Sequence, residues 1–151
     1  LTAGVGASVG AGAMVYETRV YILWNSGLGS MSIGYLGSPI SSSAITNGIY
    51  FSTTNTGVDW VINTVSSSVI TSTTTSTLVP SATWIRLRIE INSTGTSTIF
   101  YVNGVVVGTI TTNIPTATMS PSYLITNTTS NVTKTLGIDY MQSTCTFSSS
   151  R

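Results

Sequence analysis

The stretch from Trp84 to Ile110 constrains the fold of this chain more than any other. Residues 85–91 alternate strictly between apolar and polar side chains, which is the pattern of a β-strand with one buried face. A turn-forming cluster follows at 92–97, and Asn103-Gly104 lies between two further runs of β-forming residues. Both residues of an Asn-Gly pair accept positive φ, so this dipeptide predicts a hairpin. The stretch therefore predicts three consecutive antiparallel strands.

The rest of the chain adds strand candidates and contains no segment with sustained helical periodicity. Turn residues separate these candidates at spacings that are typical of a β-sandwich or jelly roll. We therefore predict an all-β fold, a two-sheet antiparallel β-sandwich. The run 69–79 contains the sequence TSTTTST and could be either an edge strand or a loop. The other candidate strands are 14–24, 30–36, 44–52, 58–65, 123–127 and 135–142.

The chain has 151 residues, which is enough for one domain with its own core. We predict a flexible or extended Gly/Ala-rich arm at 1–13, a sandwich domain at 14–142 and a polar tail at 143–151. The arm is too short to span a membrane and lacks the basic start of a signal peptide. We therefore expect no membrane insertion.

Charged residues make up only 6% of the chain, and the formal net charge is +1. An average domain is roughly a quarter charged, so this surface is close to neutral and rich in Ser and Thr. Such a surface provides no electrostatic footprint for nucleic acid. It also provides little repulsion between copies of the chain, which favours an extracellular or assembled protein.

The chain contains no His, which excludes Ser–His catalytic triads and His-ligated zinc sites. The single cysteine, Cys145, excludes an intrachain disulfide; it is either a small buried or tail residue or one half of an interchain bridge. No nucleotide-binding fingerprint occurs. We therefore expect no cofactor.

The few carboxylates show no paired-acid motif of the kind that glycoside hydrolysis needs. Two of them, Glu17 and Glu90, lie in predicted strands that also carry arginines, so cross-strand ion pairs on one sheet face are expected. No cluster of Asp and Asn residues suggests a calcium site, which needs six or more oxygen ligands. We expect no catalytic residue, no metal and no enzyme activity. The carboxylates are Glu17, Asp59, Glu90 and Asp139, and the arginines of the two strands are Arg19, Arg86 and Arg88.

Several short motifs occur in an order that resembles concanavalin A-like, laminin-G-like jelly-roll domains. They are WIRLRIEIN at 84–92, IFYVNGVVVGT at 99–109, NIP at 113–115, PSYLI at 121–125 and IDYM at 138–141. The similarity extends over roughly residues 14–142 and is strongest to the versions found in bacteriophage tail-fibre and virion-surface proteins. This resemblance implies carbohydrate binding, protein binding or a structural role in a virion.

Carbohydrate binding would need aromatic platforms beside polar side chains. The candidate platforms are Trp24, which precedes a turn, and Trp60, for which core packing is the alternative because it shares a strand face with Val58 and Ile62. Trp84 is expected to cover arginine side chains instead of binding a ligand. The polar or aromatic neighbours proposed for the ligand site are Asn25, Tyr35 and Asn63.

Two functions remain open. The chain is either a receptor-binding or glycan-binding module at the outside of a virus or cell, with host-surface glycans as its ligands, or a structural subunit such as a fibre, capsid or decoration protein. In the second case its partners are copies of itself or other virion proteins, and the arm at 1–13 or the edge candidate at 69–79 would make the contacts. A stand-alone lectin-like domain is the alternative to both.

Overall fold

The computed structural model describes residues 7–24, 29–38, 45–54, 56–127 and 133–147. These residues form β-strands joined by turns and short loops. No helix in the described part of the chain is long and apolar enough to cross a membrane. The strands are β1 (Ala7–Ser8), β2 (Gly12–Trp24), β3 (Gly29–Gly37), β4 (Gly48–Thr53), β5 (Asp59–Ser66), β6 (Val69–Leu78), β7 (Trp84–Ile91), β8 (Thr98–Val102), β9 (Val105–Ile110), β10 (Thr118–Asn127) and β11 (Lys134–Phe147).

The strands form two antiparallel sheets that pack face to face. The six-stranded sheet has the order β1-β10-β3-β4-β5-β6, and the five-stranded sheet has the order β11-β2-β7-β8-β9. The predicted two-sheet antiparallel β-sandwich is therefore confirmed. The undecided run at 69–79 forms an edge strand, β6, which pairs with β5 on one side.

The stretch from Trp84 to Ile110 forms the three strands that its pattern predicts. The four inward-facing apolar residues of β7 are no more than 2% exposed, whereas Trp84, on the other face, is 42% exposed. Asn103 and Gly104 have φ of 50° and 84°, so the hairpin between β8 and β9 has the positive φ values that favour an Asn-Gly pair. The Asn103 side-chain oxygen also accepts a hydrogen bond from the backbone N–H of Arg86 at 2.9 Å. The buried residues of β7 are Ile85, Leu87, Ile89 and Ile91.

The core lies between the inward faces of the two sheets. Phe51 of β4 makes edge-to-face contacts with Trp60 and Phe100, with ring centroids 5.7 and 5.2 Å apart. This is a favoured aromatic geometry, and one contact bridges the two sheets. Gly108 of β9 leaves the space that the Ile62 side chain fills, since a Cβ at Gly108 would come within 2.5 Å of the Ile62 Cδ1 atom.

Strand pairing extends further than the sequence predicted at two places. The strand predicted at 123–127 begins earlier than expected, because β10 starts at Thr118 and includes Pro121. Proline fits there because β1 pairs only with Thr118 and Met119, so no described strand needs an N–H from Pro121 on that side. The other extension is β11, which continues to Phe147. The division into arm, domain and tail stays a prediction.

Candidate functional site

Tyr35 and Trp60 point into the core. Both are 0% exposed, because each lies in phase with the inward-facing residues of its strand. The Tyr35 ring packs on Tyr16, with centroids 5.5 Å apart, and its hydroxyl shares a hydrogen bond of 2.8 Å with the Ser143 Oγ atom. Burial raises the pKa of the Tyr35 hydroxyl. Neither side chain has an exposed face on which a sugar could stack, so core packing explains both residues.

Trp24 and Asn25 lie at the end of β2 and in the turn that follows it. The backbone of Trp24 pairs with Lys134 of β11, but the side chain of Trp24 and the whole of Asn25 lie outside the described residues. Ligand binding by this pair stays a prediction.

Asn63 faces outward from the six-stranded sheet but is only 3% exposed. Its amide nitrogen donates to the Ser52 Oγ atom at 2.8 Å, and its amide oxygen accepts from the Ser72 Oγ atom at 2.7 Å. The amide nitrogen also lies 3.2 Å from the Val61 carbonyl oxygen. Asn63 therefore uses its polar atoms to fix hydroxyl groups of the neighbouring strands β4 and β6. Its role is to position these groups, since its own atoms are almost inaccessible.

A cavity of about 290 Å³ lies next to Asn63 on the outer face of the six-stranded sheet. Strand pairing builds it, because the register aligns Ser32 of β3, Ser52 of β4, Val61 of β5 and Thr74 of β6 in one outward row. We call this cavity the hydroxyl cavity. Its lining combines hydroxyl groups with two valines and one carboxylate: Ser30, Ser52, Thr53, Thr54, Val58, Asp59, Val61 and Thr74.

Asp59 provides the only charged group in the lining of the hydroxyl cavity, as far as the described residues show. Its carboxylate makes no ion pair or side-chain hydrogen bond to another described residue. By contrast, the Ser30 hydroxyl already shares a 2.7 Å hydrogen bond with the Thr126 hydroxyl. Buried or half-buried carboxylates are normally satisfied by donors. The free acceptor at Asp59 is therefore suited to binding hydroxyl groups of a ligand.

The outer face of the five-stranded sheet is different, because its charged groups bond to one another. The Arg88 guanidinium contacts both Glu90 and Glu17, the latter across strands at 4.0 Å. Each carboxylate also accepts a tyrosine hydroxyl, Tyr140 on Glu17 at 2.6 Å and Tyr101 on Glu90 at 2.8 Å. These hydrogen bonds raise the pKa of both tyrosines. The predicted cross-strand ion pairs are thus present, and we call this set the Arg88 network.

Trp84 lies on the same outer face, beside the Arg88 network. The Arg19 guanidinium sits over its ring at 5.4 Å and pairs with Asp139 at 3.1 Å. The Tyr21 ring also packs against Trp84, with ring centroids 5.6 Å apart. The prediction that Trp84 covers arginine side chains is confirmed for Arg19. A shallow groove of about 320 Å³ near this face is lined by Val15, Glu17, Arg88, Gln142, Thr144 and Thr146.

The hydroxyl cavity was not predicted from the sequence, although Asn63, one of the predicted ligand residues, lies beside it. The available signal was the alternation of β5, which puts Asp59, Val61 and Asn63 on the face opposite to Trp60 and Ile62. The partners of these residues on β4 and β6 could not be found without the strand register. In the described part of the chain, no three side chains of the metal-binding types lie together.

Comparisons with known proteins agree with this architecture. The structure of SO2946, a protein of unknown function from Shewanella oneidensis MR-1, superposes with a TM-score of 0.65 at 13% identity, covering 95% of this chain and 62% of that one. Carbohydrate-binding module CBM66 from Bacillus subtilis has a TM-score of 0.56 at 13% identity, with coverages of 87% and 77%. An endo-1,3-beta-glucanase from Streptomyces sioyaensis has a TM-score of 0.59 at 14% identity, with coverages of 93% and 66%.

These identities establish the fold alone, which is the concanavalin A-like β-sandwich that the motif order implied. A search of curated proteins finds no match to the sequence. A family model described as "SO2946-like, C-terminal domain" matches residues 3–142. That match extends over nearly the whole chain, and the SO2946 structure shares the same sandwich. The chain belongs to the family of SO2946-like C-terminal domains.

Proposed function

We propose that this protein is a non-enzymatic carbohydrate-binding module and that the hydroxyl cavity is its binding site. The observation that carries the proposal is the unpaired Asp59 carboxylate in a cavity of about 290 Å³. Sugar hydroxyls donate well to a carboxylate, and Ser52 and Thr74 can donate or accept. Val58 and Val61 supply an apolar surface for the C–H face of a pyranose ring. Ligand sites of this size commonly combine apolar walls with a few placed polar groups.

Two similar folds support a carbohydrate as the ligand. CBM66 is named as a carbohydrate-binding module, and the Streptomyces sioyaensis protein is named as a glucanase. The described lining of the cavity contains no aromatic ring, so it offers less contact area than a tryptophan platform. We therefore expect weak binding of single sugars, with Kd of about 1 mM, which corresponds to roughly 4 kcal/mol.

The arrangement of the carboxylates supports binding without hydrolysis. Glycosidases place two carboxyl groups about 5–9.5 Å apart on either side of the scissile bond. In the hydroxyl cavity, Asp59 is the only carboxylate among the described lining residues. On the other sheet, Glu17 and Glu90 are engaged by tyrosine hydroxyls and by the shared Arg88 guanidinium. We propose that no glycosidic bond is cleaved at either face.

A glycan array with the full chain tests the proposal. We expect hits for the wild type and at least a tenfold weaker response for Asp59→Asn, because the amide no longer accepts as a charged group. Asp139→Asn is the matched control, since Asp139 pairs with Arg19 on the other sheet; it should bind like the wild type. An array without hits from folded protein, or equal loss in both variants, would overturn the proposal.

We further propose that the module works outside a cell or on a virion surface, where it self-assembles. The observation in favour is the low charge of the chain together with exposed apolar side chains on edge strands, such as Leu78 at 60% and Phe147 at 71%. Exposed edges and apolar patches invite pairing with further copies. Light scattering at increasing protein concentration tests this part, and a monomer at all concentrations would contradict it.

A further inference from the structure

Strand β11 forms one edge of the five-stranded sheet. It runs from Lys134 to Phe147 and pairs with β2 along one side. No described residue pairs with its other side. An unpaired strand edge presents a row of backbone N–H and C=O groups that can template another strand. Natural sheets usually protect such edges with charges, prolines, bulges or short length.

The two halves of β11 differ in this protection. A register shift lies between Ile138 and Tyr140, where Asp139 is left without a partner on β2. Both charged residues of the strand lie on this side: Lys134 before the shift and Asp139 at it. The half after it, Tyr140–Phe147, has the sequence YMQSTCTF, with no charge, proline or glycine. This half is in continuous register with β2, from Tyr140 opposite Arg19 to Phe147 opposite Gly12. It is therefore a regular and unprotected edge.

This second half also exposes apolar side chains on its inward-facing side. Ser143 and Cys145 lie opposite the buried residues Tyr16 and Met14 of β2, which identifies the odd-numbered positions as the inward-facing ones. Met141 and Phe147 share that phase but are 44% and 71% exposed. The described part of the six-stranded sheet leaves these two side chains uncovered. Burial of both would be favourable, because it removes apolar surface from water.

We propose that β11 pairs antiparallel with β11 of a second copy of this chain, around a twofold axis through Thr144. The proposal specifies the contact for the self-association proposed above and does not depend on the carbohydrate site. Opposed residues of an antiparallel pair share a sheet face, so inward-facing positions must oppose inward-facing ones. A twofold contact is also self-complementary by necessity. The axis at Thr144 satisfies both conditions and joins the two five-stranded sheets into one.

The side chains that this register brings together are chemically compatible. Met141 of each copy lies opposite Phe147 of the other, which buries both apolar groups and forms a sulfur–aromatic contact on each side of the axis. Ser143 lies opposite Cys145, and Gln142 lies opposite Thr146. No charged residue occurs between 141 and 147, so the contact contains no like-charge repulsion. Apolar groups therefore meet apolar groups, and small polar groups meet small polar groups.

The other long edge strand, β6, is less suited to pairing. Its regular pairing with β5 ends at Val61–Thr74, and the next pair is Asp59–Leu78. The residues between Thr74 and Leu78 are bulged, and the Thr75 hydroxyl accepts a hydrogen bond from the backbone N–H of Thr77 at 3.2 Å. A bulge bends an edge away from a flat partner and is a common protective device. The free self-pairing edge is accordingly β11, not the 69–79 segment that the sequence suggested.

Cysteine cross-linking tests the register in the full-length chain. In the proposed dimer, residue 143 of one copy lies opposite Cys145 of the other. The Cα atoms of opposed residues in an antiparallel pair are about 4.5–5.5 Å apart. That separation is compatible with a disulfide. We expect Ser143→Cys to form a covalent dimer under mild oxidation. The control that combines Ser143→Cys with Cys145→Ser should remain uncross-linked, because each remaining thiol then faces a serine.

Light scattering and titration with a soluble monovalent oligosaccharide separate the outcomes. A dimer that becomes monomeric in Met141→Lys, while the affinity of each chain for the soluble sugar is unchanged, supports the β11 contact, because Met141 is exposed and lies on the other sheet from the hydroxyl cavity. A wild-type monomer at high concentration would overturn both self-association and this contact. A dimer that Ser143→Cys does not cross-link would overturn the β11 register and leave self-association standing. Asp59→Asn should remain dimeric in either case.

Discussion

The outer faces of the two sheets use their polar residues in opposite ways. On the five-stranded sheet, the Arg88 network bonds its two carboxylates to a guanidinium and two tyrosine hydroxyls. On the six-stranded sheet, Asp59 has no partner among the described residues and borders a cavity of hydroxyl groups. The carboxylates on the outer face of the five-stranded sheet thus have hydrogen-bond and ion-pair partners, although that face carries most of the charges. In a chain with so few charges, the informative residue is the carboxylate left without a partner.

The largest expected effect concerns the core beneath the hydroxyl cavity. Trp60→Ala removes a fully buried ring that packs on Phe51, and such truncations cost about 3–5 kcal/mol of unfolding free energy. Trp84→Ala is the control on the other sheet and should cost clearly less, because that ring is 42% exposed. Denaturant unfolding measures both variants. Equal losses would contradict the assignment of Trp60 to the core and of Trp84 to the surface.

The next effect concerns Asn63, which lies beside the hydroxyl cavity and holds the Ser52 hydroxyl of its lining. Asn63→Ala removes the hydrogen bonds from its amide to the Ser52 and Ser72 hydroxyls, and the loss of an ordinary hydrogen bond costs about 0.5–1.5 kcal/mol. We expect lower thermal stability together with weaker glycan binding, since Ser52 is no longer held in place. Gln142→Ala, at an exposed position on the other sheet, should change neither quantity. Unchanged glycan binding by folded Asn63→Ala would contradict the positioning role.

A smaller effect is expected from the Arg88 network itself. The side chains of Arg88 and Glu17 are 41% and 22% exposed, and partly exposed ion pairs contribute about 1 kcal/mol or less. Arg88→Ala should therefore lower stability only slightly, and less so at high salt, because salt screens the pairs that it removes. Its glycan binding should equal that of the wild type. A tenfold loss of binding in this variant would move the ligand site to the five-stranded sheet.

The smallest effect near neutral pH comes from the buried tyrosines. Burial raises the pKa of Tyr35 and of Tyr50 above the ordinary value. A raised tyrosine pKa favours the neutral form in the folded state, so this contribution is fully present below pH of about 10, the pKa of an unfolded tyrosine. As pH rises beyond that value, the unfolded chain loses protons first and stability falls. Melting temperatures measured from pH 7 to 11 should show no change caused by these tyrosines up to a pH of about 10, and should decline above it.

Much of the fold could be predicted from the alternation of side chains. Local interactions between residues close in sequence determine the strand at 85–91 and the turn at Asn103-Gly104. Both can therefore be predicted directly from the sequence. The early start of β10, ahead of the strand predicted at 123–127, could not be predicted, because Pro121 fits in the strand only where β1 no longer pairs with β10. The end of a neighbouring strand is a tertiary property that local pattern does not contain.

The site was harder to predict because it depends on register between strands. Tyr35 and Trp60 have the right chemistry for a sugar platform, but each lies on the inward-facing side of its strand. Only the pairing of β4, β5 and β6 shows that Asp59 borders a cavity. Whether a polar group is satisfied or free can be judged only from its spatial neighbours, and most of these are distant in sequence.

The most direct test of the central claim is an NMR titration of the labelled wild-type chain with an oligosaccharide that binds on the array. We predict that the backbone amide shifts change mainly around Ser52, Asp59 and Thr74, on the outer face of the six-stranded sheet. The amides around Arg88 and Tyr101 should remain unchanged. Shifts confined to the Arg88 network, with none around Asp59, would contradict the account.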